Sequence, residues 1–279
     1  MIAEFIRIIT TYNFMGRAFI VAILIGIIAG VIGAFVILRG LSLMGDAIGH
    51  AVLPGVAVSH LIGIPHVIGA AVFGLLASML IGFIGEKTAL KKDTIMGAVF
   101  SSFFALGIIM VSQIRTMTDL NSILFGNILS VQTSDVWNVI FVAVGLVLFV
   151  SLFYKELLLT SFDETVAKVY GFKTSLIHYA FLFTLTIVIV LSLQIVGAVL
   201  IVAMIITPAA TAYLLTNRMH IMIFISALFG VVSSVIGMFL SITFNYPSGA
   251  SIVVISASLF LLAFMLAPKK GLIAGSINK

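Results

Sequence analysis

Cysteine is absent from the 279 residues, so neither disulfides nor thiolate metal ligands can form. Charge is almost as scarce: 8% of residues are charged and 62% are hydrophobic, with a mean hydropathy of +1.35. Soluble domains carry about a quarter charged residues; this composition specifies an all-α, polytopic membrane helical bundle. Catalytic motifs are missing too. Without a GxxxxGK[ST] loop the chain cannot bind ATP in the P-loop manner, and without HExxH or GxSxG it lacks the intramembrane metalloprotease and nucleophile-elbow signatures. The "YPSGAS" stretch has a serine at the wrong spacing. Enzyme activity is not expected.

The small charged set is informative by position. A net charge of +5 could suggest nucleic acid, but the basic residues lie mainly in short loops between apolar runs. That is the positive-inside pattern of a membrane protein, and it excludes a phosphate-binding patch. The run 18–38 is too long for a signal h-region and lacks a small-residue cleavage site, so it is the first retained span. About 20 apolar residues cross the hydrocarbon core, which predicts spans at 18–38, 67–85, 94–111, 136–153, 177–193, 195–215, 221–244 and 251–266. The segment 46–62 is a possible ninth. It either crosses or dips in and returns, because it carries Asp46, His50, Pro54 and His60.

The loops 86–93 and 155–173, with Arg218, Lys269 and Lys270, are placed in the cytoplasm. Counting back, the amino-terminal end is outside if 46–62 crosses and inside if it is re-entrant; Arg7 and Arg17 favour inside. Residues 1–16, with Phe5, Ile8, Ile9 and Tyr12 on one helical face, are expected as an interfacial helix. The outer connections are 64–66, 113–135 and 245–249, and the apolar stretch 119–129 is too short to cross. The whole chain, 1–279, reads as one transmembrane domain.

The cytoplasmic sequence "SFDETVAKVYG" (161–171) has the signals of a short helix, 161–170. Ser161 and Glu164 match the S-x-x-E capping box, Asp163 and Glu164 suit the positive end of the helix dipole, Lys168 suits the negative end, and Gly171 suits a left-handed C′ position. Phe162, Val166 and Val169 share a face. That face either lies on lipid headgroups or docks into a cytoplasmic partner.

Asp46 and His50 are four residues apart, hence on one helix face. A carboxylate at bilayer depth costs about 2.5–3.5 kcal/mol on insertion scales, so such a group faces a bundle interior or wet cavity, unless it snorkels from a span end to water. One chain offers one oxygen and one nitrogen, too few for a closed metal site. Two copies about a two-fold axis offer two of each, a set acceptable to Mn²⁺, Zn²⁺ and Fe²⁺ and poorly suited to Cu(I). His60 would lie about 20 Å further along an unbroken helix. It reads as a packing or mouth residue, and His66, His178 and His220 as interfacial groups.

Four segments carry a resemblance: "ILRGLSLMGDAIGHAVLPGVA" (37–57), "ILFGNILSV" (123–131), "LLLTSFDETVAKVYG" (157–171) and "VGAVLIVAMIITPAATAYLL" (196–215). Together they resemble the marked segments of membrane permease subunits of ATP-binding-cassette importers for manganese, zinc and iron, and most of all Gram-positive manganese permeases. The resemblance implies a homodimer in the bacterial cell membrane, two cytoplasmic ATP-binding subunits and an extracytoplasmic metal-binding protein. No cofactor is held permanently; the metal, Mn²⁺ or else Zn²⁺ or Fe²⁺, is cargo. Asp46 and His50 correspond to the family's metal-path residues. The segment with Ser161, Phe162, Asp163, Glu164, Val166, Val169 and Gly171 would be the coupling helix against the ATPase. A gradient-driven carrier with Asp46 and His50 as a proton relay is the alternative.

Overall fold

The computed structural model describes residues 12–113 and 128–267. Most of the expected interfacial helix, most of the stretch 119–129, and Lys269 and Lys270 lie outside the described residues. Lipid offers no hydrogen-bond partners, so each apolar run satisfies its backbone as a helix. Eight described helices are long and apolar enough to cross a membrane. They are α1 (Asn13–Leu38), α4 (His66–Lys87), α5 (Lys92–Ser112), α6 (Thr133–Leu152), α9 (Thr174–Val196), α10 (Ala198–Leu215), α11 (Met219–Phe244) and α12 (Ser248–Leu266). Each overlaps one predicted span. Residues 13–16 belong to α1 itself and not to a separate surface helix.

The ambiguous ninth segment is a pair of short helices, α2 (Met44–Ala51) and α3 (Leu53–Ile62), broken at Val52. Pro54 stands in the first turn of α3, where its missing N–H removes no helical bond. The pair crosses. At one end of the bundle, Lys92 Nζ donates to the Arg39 carbonyl oxygen (2.8 Å), and the Glu86 carboxylate accepts from Ser175 Oγ (2.7 Å) and Tyr179 Oη (3.1 Å). The end of α1, the end of α4 and the starts of α5 and α9 are thereby gathered together. At the other end, the rings of His60 and His66 stack with centroids 5.9 Å apart. The α2–α3 pair therefore runs antiparallel to α4, from the Arg39 end to the His66 end.

The eight long helices and the α2–α3 pair make nine passages among the described residues, and the beginning of α1 lies at the end opposite Arg39, where Arg17 Nη1 donates to Thr133 Oγ1 (2.9 Å). The end with Arg39, Lys87, Lys91, Lys92, Lys173 and Arg218 is cytoplasmic by the loop-charge rule. By the same rule the start of α1 is then outside, the alternative that follows when 46–62 crosses.

Helix α1 is the centre of the core, packed along α11 and α10 and buried from Ala18 to Val36 on most of its faces. Helices α3 and α4 approach backbone to backbone at two glycines. A Cβ on Gly55 would sit 2.0 Å from the Gly69 carbonyl oxygen, and one on Gly69 would sit 2.1 Å from that of Gly55. Small residues let helix backbones touch where lipid supplies no hydrophobic drive. Gly145 of α6 has open space at the Cβ position. We expect Gly55→Ala to lower stability by about 1–3 kcal/mol, the range of overpacking, and Gly145→Ala to raise it slightly through helix propensity. Thermal unfolding of the two detergent-purified variants measures this, and equal melting temperatures would contradict the close approach.

Candidate metal site and coupling segment

Helix α2 is set by its small residues. Gly45 lies against Val202 and Gly49 against Leu193 and Ala198, seating one face on α9 and α10 with Met44, Ala47, Ile48 and Ala51 buried. The remaining face carries Asp46 and His50, whose side chains are 51% and 21% exposed, with Nε2 3.3 Å from Oδ1. The imidazole packs on α5, its centroid 5.2 Å from both Phe100 and Phe104. These rings are midway along α5, and Val52 lies against Gly74, midway along α4. His50 is therefore level with the middle of α4 and α5, and Asp46 lies one helical turn nearer the Arg39 end.

Nδ1 of His50 is enclosed and has no hydrogen-bond partner. Nε2 and the Asp46 carboxylate are the atoms that can reach a cation on the open face. Among the described residues no group of three or more His, Asp or Glu converges to hold a metal ion. His60 and His66 stack on each other at the outer end, as a mouth pair remote from Asp46.

The cytoplasmic loop departs from the expected helix 161–170. It folds as α7 (Tyr154–Phe162) and α8 (Glu164–Val169), separated by Asp163. The cap is Asp163, whose Oδ1 accepts from the backbone N–H of Thr165 (2.9 Å) and Val166 (3.0 Å). Ser161 is not the cap because its hydroxyl is engaged elsewhere: it donates to the Leu157 carbonyl and accepts from Arg39 Nε at 3.0 Å. Glu164 does not close a capping box. It pairs with Lys168 (2.8 Å) and accepts from Thr174 Oγ1 (3.4 Å). The bond from Lys168 is the largest influence holding its carboxyl below the usual range.

Gly171 takes the left-handed conformation expected of it (φ +82°). Its N–H bonds the Lys168 carbonyl while that of Phe172 bonds Ala167, a Schellman close. Phe162 and Val169 are 63% and 83% exposed, with Val166 and Tyr170 also exposed.

Sequence reasoning missed Arg39. It is only 8% exposed, its guanidinium 4.4 Å above the Phe181 ring, and Nη2 donates to Thr160 Oγ1 (2.7 Å). Burial pushes its pKa down to about 10, with Glu164 acting in the opposite sense, so it remains a cation at neutral pH. Arg39, Glu86, Lys92, Ser161, Glu164 and His178 line a cytoplasmic cavity of about 710 Å³. The available signal was a lone arginine closing an apolar span, which the loop-charge rule alone accounts for.

Comparison with known proteins settles the family. The family model described as ABC 3 transport family matches residues 11–267. This chain belongs to that family. Among ABC 3 transport family relatives, a manganese transport system membrane protein, MntC, of Listeria monocytogenes is 51% identical over 96% of this chain and 96% of its own. A manganese import system permease protein, ScaB, of Streptococcus gordonii is 51% identical over 97% of each. The solved structure of PsaBC from Streptococcus pneumoniae in complex with Fab superposes with a TM-score of 0.88 at 49% identity, covering 99% of this chain and 100% of that one. Family and helices together make the chain a multi-pass protein of the bacterial cell membrane.

The two capping assignments separate experimentally. Asp163→Ala should destabilise α8 by about 1 kcal/mol, the usual cost of a lost N-cap, seen as faster amide exchange at residues 165–169. Ser161→Ala should leave that exchange unchanged; the reverse pattern would restore the Ser161 cap.

Proposed function

We propose that this chain is the permease subunit of an ATP-driven importer that carries a divalent transition metal, Mn²⁺, into the cell. It works as a homodimer with two cytoplasmic ATPase subunits and an extracytoplasmic binding protein. The observation that supports the reading is the Asp46–His50 pair: a carboxylate and an imidazole side by side in the bundle, open on one face, with no third His, Asp or Glu converging on them among the described residues. A second copy would complete it with two oxygens and two nitrogens, a donor set suited to Mn²⁺. The relatives named for manganese transport support that metal over Zn²⁺ and Fe²⁺.

The chemistry favours passage over capture. A strong histidine ligand donates its second N–H to a carboxylate or carbonyl, which raises its basicity, and Nδ1 of His50 has no such acceptor. A cation must be able to leave a conducting site, and a weakly supported imidazole lets it. Mn²⁺ is also the weakest binder in the divalent series, so selection falls to geometry and to the delivering protein.

The exposed stripe of Phe162, Val166 and Val169 supports an ATPase partner over a carrier that acts alone. Apolar side chains exposed at the end of α7 and along the capped α8 suit a cleft in a cytoplasmic protein. Ser161, Asp163, Glu164 and Gly171 serve that stripe by fixing the two helices that present it.

Asp46→Ala and His50→Ala should each abolish ⁵⁴Mn uptake in cells while leaving normal amounts of the protein in the membrane; near-normal uptake by both would refute the path. Phe162→Asp should lose the co-purifying ATPase subunit, and unchanged association would remove the docking role.

A further inference from the structure

We propose that Arg39 is the positioning residue that ties the coupling segment to the metal-bearing helix α2, so that movement of one is passed to the other. The proposal rests on the transport reading above. Its structural basis is a continuous set of short contacts. From the turn after α1, the guanidinium reaches α7 through Nε to Ser161 Oγ (3.0 Å) and Nη2 to Thr160 Oγ1 (2.7 Å), with Leu157 O at 3.5 Å. Its face covers Phe181 of α9, which itself packs on Phe35 of α1. Its carbonyl accepts from Lys92 at the start of α5, the helix whose Phe100 and Phe104 hold His50.

Arg39 is also the last fixed point before α2. Its N–H and those of Gly40 and Leu41 bond back to Phe35, Ile37 and Val36 of α1. Gly40 then turns the chain in the left-handed region (φ +63°), with open space at its Cβ position. Leu41 O accepts from Met44 N, and α2 begins. A displacement of α7 must carry Arg39 with it or strip a buried cation of its acceptors, and such an unpaired charge is far costlier than a small shift. The planar fork, with several donors fixed relative to one another, transmits direction as well as force. The turn at Gly40 supplies the pivot.

The prediction concerns the ratio of metal moved to ATP spent. Wild-type and variant permeases would be reconstituted in liposomes with the ATPase subunit and the binding protein, and ⁵⁴Mn uptake and phosphate release measured together. Arg39→Gln should retain complex assembly and ATP hydrolysis but lower Mn²⁺ moved per ATP severalfold. Arg39→Lys keeps the charge without the fork and should fall between Arg39→Gln and wild type. Thr160→Val removes the 2.7 Å acceptor and should lower the ratio in the same direction with Arg39 intact.

A wild-type ratio in Arg39→Gln or in Thr160→Val would overturn the proposal. So would a loss of assembly or of membrane-inserted protein in Arg39→Gln, which would make the residue a support of the fold only. If wild type itself shows no ATP-dependent uptake, the transport reading fails; if wild type is coupled and the variants are too, only the role of Arg39 falls.

Discussion

In the proposed role, the constraint on which the rest of the bundle depends is a carboxylate and an imidazole held together, 3.3 Å apart, within an apolar helical protein. A carboxylate and an imidazole there cost free energy unless they have water, each other or a cation. The fold meets that cost with a helix too short to span. Helix α2 ends at Val52, and its glycines press one face onto α9 and α10, so Asp46 and His50 are left on the other face. Phe100 and Phe104 fix the imidazole from the side while the carboxylate stays open. The result is a site poised for a ligand and unable to complete itself.

In the proposed importer, a partner outside the membrane controls that site. The cytoplasmic segment is well specified locally, by Asp163 at its start and the Schellman close at Gly171. It is also bonded to the bundle through Arg39. In the proposed role of Arg39, these bonds pass displacement of the segment to the bundle, and the left-handed turn at Gly40 joins α1 to α2.

Much of this was legible in the sequence because lipid simplifies the code. Apolar length sets the spans, so the predicted 18–38 became Asn13–Leu38 with the same closing arginine. The i, i+4 spacing placed Asp46 and His50 together. What was not legible depended on tertiary partners. Residues 46–62 could cross or return because Pro54 permits either, and only packing against α4 decides. In "SFDET" the S-x-x-E pattern pointed to Ser161 as the cap, but its hydroxyl is engaged by Arg39 and the Leu157 carbonyl, and Asp163 caps instead. The role of Arg39 itself depends on residues more than a hundred positions away.

In the proposed homodimer, two copies of this chain bring their Asp46 and His50 side chains around one cation. Pulsed electron paramagnetic resonance of Mn²⁺ bound to the purified permease reads this directly, since imidazole nitrogens modulate the Mn²⁺ spin echo. The account requires one Mn²⁺ per two chains, with coupling to two imidazole nitrogens that disappears in His50→Gln. A stoichiometry of one Mn²⁺ per chain, or nitrogen coupling that survives His50→Gln, would contradict it.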